Sequence, residues 1–492
     1  MTKKIDVLWL VEHIAREMDV ACAVRYFAKS RLDSEITVRH IYLHANQNIR
    51  EFDPAVVVLP FIYDSSDLAI EDYVRAWPNA TFFNMAWEEI HYKAHETPKA
   101  PHDEFAKKSV IHHAWGEFYE RYLLIHGVPE EHIFVNGQPA YQLYSDPYNQ
   151  YYRNRAALAQ QYGLDRTAKW IFVPENYRWG FITEGRLNNY VNLGSDRDEL
   201  IGLRDFCRES LRQLLRWCNE TATERTEIEI VFRPRPTLSS NVLSDFFHEE
   251  VGDRATNLHF IKDESVREWI LASDIIASSY STSLIEAAIA SKPVYMVEPV
   301  AIPDSLYSDW YDFVPRIRSS REFQDACRAD AKVVDSRLRD WATTEMLSHG
   351  DPIQGLAQFI GELAARKREV QTGFSRNRSS YPTRSRNPFV IPKYLLESIG
   401  LALSLPFSSH RAESLRRLRS RARSVYNLTT GTRPEKNYFN ANTHENDVFD
   451  EEYIETVTRS WSEILDADLP AQKFATSRIT PEVSNIGPLE ND

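Results

Sequence analysis

Two short stretches hold the residues best suited to an anionic ligand. Arg233-Pro234-Arg235-Pro236 follows a Val/Ile-rich run. Proline cannot continue a strand ladder, so the run stops there, and the two prolines stiffen the turn. Guanidiniums projected from a stiff turn suit a diphosphate, because each offers paired donors to phosphate oxygens. Ser278, Ser279, Ser281, Thr282 and Ser283 crowd the join between a second apolar run and a helical pattern. Hydroxyls and unpaired N–H groups at such a join can donate to phosphate or base. Ser283 and Glu286 also have the spacing of a capping box, in which they would only satisfy the helix end. The alternative for Glu286 is to accept hydrogen bonds from ribose hydroxyls.

Two carboxylates are candidate catalytic groups. Glu175 stands in Pro174-Glu175-Asn176-Tyr177-Arg178-Trp179-Gly180-Phe181. A carboxylate among aromatics is partly desolvated, which raises its pKa and suits acid/base or nucleophilic work. Its other reading is a loop-stabilising side chain. Glu88, in Asn84-Met85-Ala86-Trp87-Glu88-Glu89, is the second candidate. Asn84, Trp87, His113, Trp115 and Gln138 follow apolar runs in the first part of the chain and are expected to line an opposite, acceptor wall. His113 reads either as a catalytic group or as a hydrogen-bonded structural residue. His112 and His113 have no companion cluster at metal-ligand spacing, so no metal is expected. GxGxxG, GxxxxGK[ST] and GxSxG are absent, which disfavours NAD enzymes, P-loop NTPases and α/β-hydrolases.

The elements that must position these residues read as α/β. Strands are predicted at 5–11, 36–44, 55–60, 80–86, 110–114 and 133–136, with helices at 14–30, 70–77 and 117–126. A second series predicts strands at 170–174, 228–232, 258–261, 275–278 and 294–297 between helices at 196–219, 239–250, 266–272 and 283–290. The expectation is two tandem Rossmann-like domains, 1–150 for an acceptor and 160–368 for a nucleotide-sugar donor, the latter ending in closing helices. In open parallel sheets ligands bind beyond the carboxyl ends of the strands, where the motifs fall.

Character changes afterwards. The net charge of −13 argues against whole-surface nucleic-acid binding. That charge is unevenly spread, with a basic segment at 371–436 and an acidic tail at 437–492. The expectation here is a helical, partly disordered extension. Residues 393–425 would form an apolar and then a basic helix, able to lie on an anionic membrane surface. The alternative is a solvated arm folding against its own acidic tail. Four scattered cysteines and the lack of a long apolar run point to a cytoplasmic protein, peripheral to the inner membrane if the basic helix binds it.

Arg233-Pro-Arg-Pro, Asp274, Ser278-Ser279, Glu286-Ala287 and Lys292-Pro293-Val294 together resemble the donor domain of GT-B glycosyltransferases of bacterial surface polysaccharide (capsule and O-antigen) biosynthesis. The pattern is similar to that of capsule Kdo transferases, bacterial sialyltransferases and CDP-glycerol glycerophosphotransferases. Asn84, Trp87-Glu88, Trp115-Gly116, Gly127-Val128-Pro129 and Gly137 resemble the first domain of such proteins. The resemblance covers roughly residues 5–360. It implies a metal-independent transferase with no cofactor beyond a nucleotide-sugar co-substrate, CMP-linked in some relatives, and an oligosaccharide or lipid-linked acceptor. Relatives using CMP or CDP donors typically carry histidine where Arg235 stands, and an arginine cannot act as a base near neutral pH. Two other readings of the same sequence are a nucleotide-sugar epimerase and a non-catalytic, membrane-peripheral partner of polysaccharide machinery.

Overall fold

The computed structural model describes residues 2–67, 69–192, 195–235, 240–330, 334–347, 350–372 and 448–468. Near-continuous apolar runs, buried on both faces, build a first parallel sheet from β1 (Lys3–Val11), β2 (Ile36–His40), β3 (Phe52–Leu59), β4 (Thr81–Asn84), β5 (Val110–Ala114) and β6 (Ile133–Val135). Its order is β2-β1-β3-β4-β5-β6. Successive side chains of a strand point to opposite faces. Val7, Trp9 and Val11 of β1 therefore enter one core layer, and Leu8 and Leu10 enter the other.

The second sheet comprises β7 (Lys169–Pro174), β8 (Ile228–Arg233), β9 (Leu258–Phe260), β10 (Ile275–Ser278), β11 (Val294–Val297) and β12 (Arg316–Ile317). Its order, β12-β11-β10-β7-β8-β9, is the doubly wound Rossmann arrangement. The strand order reverses between β7 and β10, and in the first sheet between β1 and β3. These switch points are where such sheets open a ligand crevice. The two-domain α/β expectation is thus met. The two-residue strand β12 and the helix Glu184–Asn192 after β7 were not anticipated from the sequence.

The chain returns to the first domain after the second is complete. Helix Pro352–Thr372 buries Ile353, Leu356, Ala357 and Ile360 in the first domain's core against helix Ile14–Leu32. The return path runs over Gly116 and Gly137. A Cβ at Gly116 would sit 1.8 Å from the Glu345 carbonyl oxygen, and one at Gly137, whose φ is +88°, would sit 2.9 Å from that of Met346. Only glycine admits both approaches.

Part of the expected acidic tail is a structural element of the first domain. In helix Glu451–Asp468, Ile454, Val457, Trp461 and Leu465 recur at helical spacing and are buried in the first core. Trp461 stacks on Tyr151 of the interdomain joint at 4.3 Å. Arg25 pairs with Glu455, and Arg39 pairs with Glu451 at 2.7 Å. The basic segment 373–447, with its expected membrane helices at 393–425, lies outside the described residues, as does 469–492. Among the described residues no helix is long and apolar enough to cross a membrane.

Candidate functional site

The carboxyl ends of β7, β8 and β10 meet those of β1 and β4 across a seam between the domains. The loop after β4 crosses it. The Tyr92 hydroxyl donates to the Tyr280 carbonyl at 3.1 Å and accepts from the Asn176 amide at 3.3 Å. Arg267 crosses in the other direction, from helix Val266–Ala272. It is 5% exposed and donates to the Ala15 and Arg16 carbonyls and to Asp19, at 3.2–3.3 Å. Asp19 also accepts from the Tyr152 hydroxyl of the joint, at 2.8 Å.

Arg233 ends β8 in register with Pro174 of β7, next to the switch point. It is 7% exposed and makes one hydrogen bond, to the Glu264 carbonyl at 2.9 Å. Its Nε has no partner, and no carboxylate among the described residues pairs with it. Burial pulls its pKa down to about 10, with Asp263, Glu286 and Glu175 opposing the shift from a distance. A buried, unpaired guanidinium is costly unless a ligand completes it. Arg235 lies two residues on, half-buried and also without an ion pair among the described residues, and its charge reaches Glu88 and Tyr92 across the seam.

Glu175 does not offer a free carboxylate. One oxygen accepts the Arg235 N–H at 2.8 Å and the other accepts the Tyr177 N–H. Burial raises its pKa, and these two hydrogen bonds work against the rise. Its visible task is to fasten the β7 and β8 turns together, which fixes where Arg235 projects. Glu88 is half-exposed and paired with Arg16 at 3.0 Å and with Lys99. Burial alone would raise its pKa, but Lys99 and Arg16 outweigh that and hold it well below the usual carboxylate range. So low a pKa makes Glu88 a weak base. Its neighbour Glu89, passed over in the sequence, turns inward and is buried. It accepts the Trp115 N–H at 2.8 Å on one oxygen, has no partner on the other, and burial pushes its pKa well up.

The hydroxyl cluster divides. Ser278 and Ser279 have no exposed surface, and Ser278 donates to the Pro174 carbonyl, tying β10 to β7. Both are enclosed rather than open to a ligand, contrary to expectation, because β10 is a central strand flanked by β7 and β11. Ser281, Thr282 and Ser283 stay partly exposed. The expected capping box at Ser283 and Glu286 is not formed: Thr282 occupies the N-cap without a side-chain bond. Glu286 instead accepts the Tyr144 hydroxyl at 2.6 Å, from the interdomain joint. A true capping box forms at Ser265 and Glu268.

The expected acceptor wall is interior rather than open. Asn84 bonds His112 and the Ala86 N–H. Gln138 caps helix Pro139–Gln142 through the Ala140 N–H. Trp87 and Trp115 are buried. His113 is fully buried between the Met85 and Gly137 main chains, and burial lowers its pKa to about 4, so it is neutral and shielded from solvent. These residues sit where the returning chain, at Glu345, Met346 and Pro352, covers the strand ends, a contact that local sequence does not disclose. The cavity lined by Lys169, Arg225, Glu227, Ile228, Cys327 and Arg328 lies at the opposite ends of β7 and β8. There the Lys169 ammonium caps the Cys327, Arg328 and Ala329 carbonyls.

No family model matches the chain, and no curated protein matches it. Similarity is found to solved structures. A UDP-N-acetylglucosamine 2-epimerase is 12% identical, covering 77% of this chain and 99% of its own, with a TM-score of 0.45. The wall teichoic acid polymerase TagF is 10% identical, covering 75% and 90%, with a TM-score of 0.47. Anabaena Alr3699/HepE in complex with UDP-glucose is 10% identical, covering 75% and 100%, with a TM-score of 0.39. At such values no function transfers, and the fold stands on its own strand order.

Proposed function

We propose that the seam binds a nucleotide-linked sugar and that the chain is a glycosyltransferase acting on an oligosaccharide or lipid-linked acceptor of a bacterial surface polysaccharide. The observation that carries this reading is Arg233, a buried cation with an orphaned Nε and no ion pair among the described residues, beside Arg235 and next to a Rossmann switch point. Two guanidiniums there would neutralise the charge that develops on the leaving phosphate, the main electrostatic task of glycosyl transfer. Ser281, Thr282 and Ser283 would add hydroxyl donors. Glu286 would receive ribose hydroxyls once Tyr144 releases it. The domain contacts at Tyr92 and Arg267 would exclude water from the donor.

In this reading Glu175 is a positioning residue for Arg235, and Glu88 is a fixed negative charge within a basic surround. The test is calorimetric titration of the full chain with CMP, CDP, UDP and GDP. At least one is expected to bind, and Arg235→Gln is expected to weaken it about tenfold or more, the loss of a charge-assisted pair. Failure of all four nucleotides to bind would refute the proposal.

A further inference from the structure

The turn Arg178–Phe181 and the helix Glu184–Asn192 form a lip after β7 that the nucleotide reading leaves unused. Arg178 and Arg186 are exposed on it, and no carboxylate among the described residues pairs with either. Arg178 lies near enough to both Arg235 and Arg186 for their charges to repel. Acidic partners are at hand but are used elsewhere: Glu184 pairs with Arg197 at 3.2 Å and with Arg204 at 2.7 Å. Arg178 and Arg186 are thus the lip cations that no carboxylate among the described residues neutralises.

Aromatic surface accompanies the charge. The rings of Trp179 and Tyr190 lie 5.2 Å apart, inclined at 44°, and both residues are half-buried. The Arg178 charge also acts on Tyr190 and on His95 of the first domain. An aromatic face packs against the apolar face of a sugar ring, and a guanidinium grips a carboxylate with two parallel hydrogen bonds. Side by side, the two make a surface for a sugar that bears a carboxylate.

We propose that Arg178, Trp179, Arg186 and Tyr190 form a binding lip for an acidic oligosaccharide whose rings carry carboxylates. This rests on the nucleotide-sugar reading, for which the lip supplies the acceptor's chemical class. It borders the proposed donor site, since Arg178 is within electrostatic reach of Arg235, while Trp179, Arg186 and Tyr190 belong to the turn and helix beyond it.

The experiment is calorimetry on the full chain with a hexamer of galacturonic acid, with maltohexaose as the neutral control. The acidic hexamer should bind at least about tenfold more tightly. Arg186→Gln and Trp179→Ala should each weaken it about tenfold while leaving nucleotide affinity unchanged. A poly-glutamate peptide of equal charge should bind more weakly and be insensitive to Trp179→Ala. Equal affinity for the two hexamers, no binding of the acidic one, or indifference to both substitutions would overturn the proposal. If the acidic hexamer behaves as expected but no nucleotide binds, the donor reading fails and the lip stands.

Discussion

Replacing Arg233 by methionine should make the free protein more stable and at the same time remove its response to nucleotide. Burial holds the Arg233 pKa at about 10, below the ordinary guanidinium value, which puts the cost of keeping that charge at about 3 kcal/mol. Methionine fills similar space without a charge or an orphaned Nε. The substitution also forfeits the hydrogen bond to the Glu264 carbonyl, worth about 2 kcal/mol because its donor is charged. The net gain is then about 1 kcal/mol, at the low end of the range seen when buried charges give way to apolar side chains. For a domain of about 200 residues this corresponds to a rise of about 2–4 °C in the melting temperature. Thermal unfolding is to be followed with and without the nucleotide that binds best. At a hundredfold excess over Kd the wild type should gain about 2.7 kcal/mol from ligand, and the variant should gain almost nothing. A lower melting temperature for Arg233→Met, or an undiminished shift with nucleotide, would refute the reasoning. Either result would make Arg233 a structural residue.

Trp461→Ala should cost the first domain about 3–5 kcal/mol, since the indole is fully buried and stacked on Tyr151; an unchanged urea midpoint would show that helix Glu451–Asp468 contributes nothing there. Stability should also fall in acid. Burial lowers the pKa of His112 and His113 to about 4, below the unfolded value of about 6.5. Both are therefore neutral in the native state. As pH drops below about 6.5 the unfolded chain gains protons the folded one refuses, so stability present above that pH declines down to about pH 4, by up to about 3 kcal/mol per histidine. Urea unfolding between these limits should show the decline, and His113→Phe should flatten it; an unaltered slope would count against a buried neutral His113.

How much of this was legible depends on the range over which each feature is decided. The alternation of strands and helices follows from apolar periodicity, a local property, and that periodicity alone is enough to put Arg233, Glu175 and Ser278 at strand ends. The direction each side chain takes there is not local. Glu88 and Glu89 are adjacent carboxylates, yet one meets Arg16 and Lys99 at the seam while the other is buried behind Trp115. Glu286 has the spacing of a cap but answers to Tyr144, far earlier in the chain.

Local patterning is sufficient for two doubly wound units, and it sets a pair of proline-stiffened arginines at the carboxyl end of a strand. Tertiary packing alone encloses Arg233 with no ion pair among the described residues and spends Glu175 on two main-chain N–H groups. The same holds for the residues expected on an acceptor wall, which lie inside the protein, and for the acidic helix Glu451–Asp468 that completes the first domain's core. The physical reason is that periodicity reports which residues prefer to be buried. Charge compensation and solvent access depend on which distant segments pack together, and neither the return crossing over Gly116 and Gly137 nor the docking of Trp461 leaves a local signal.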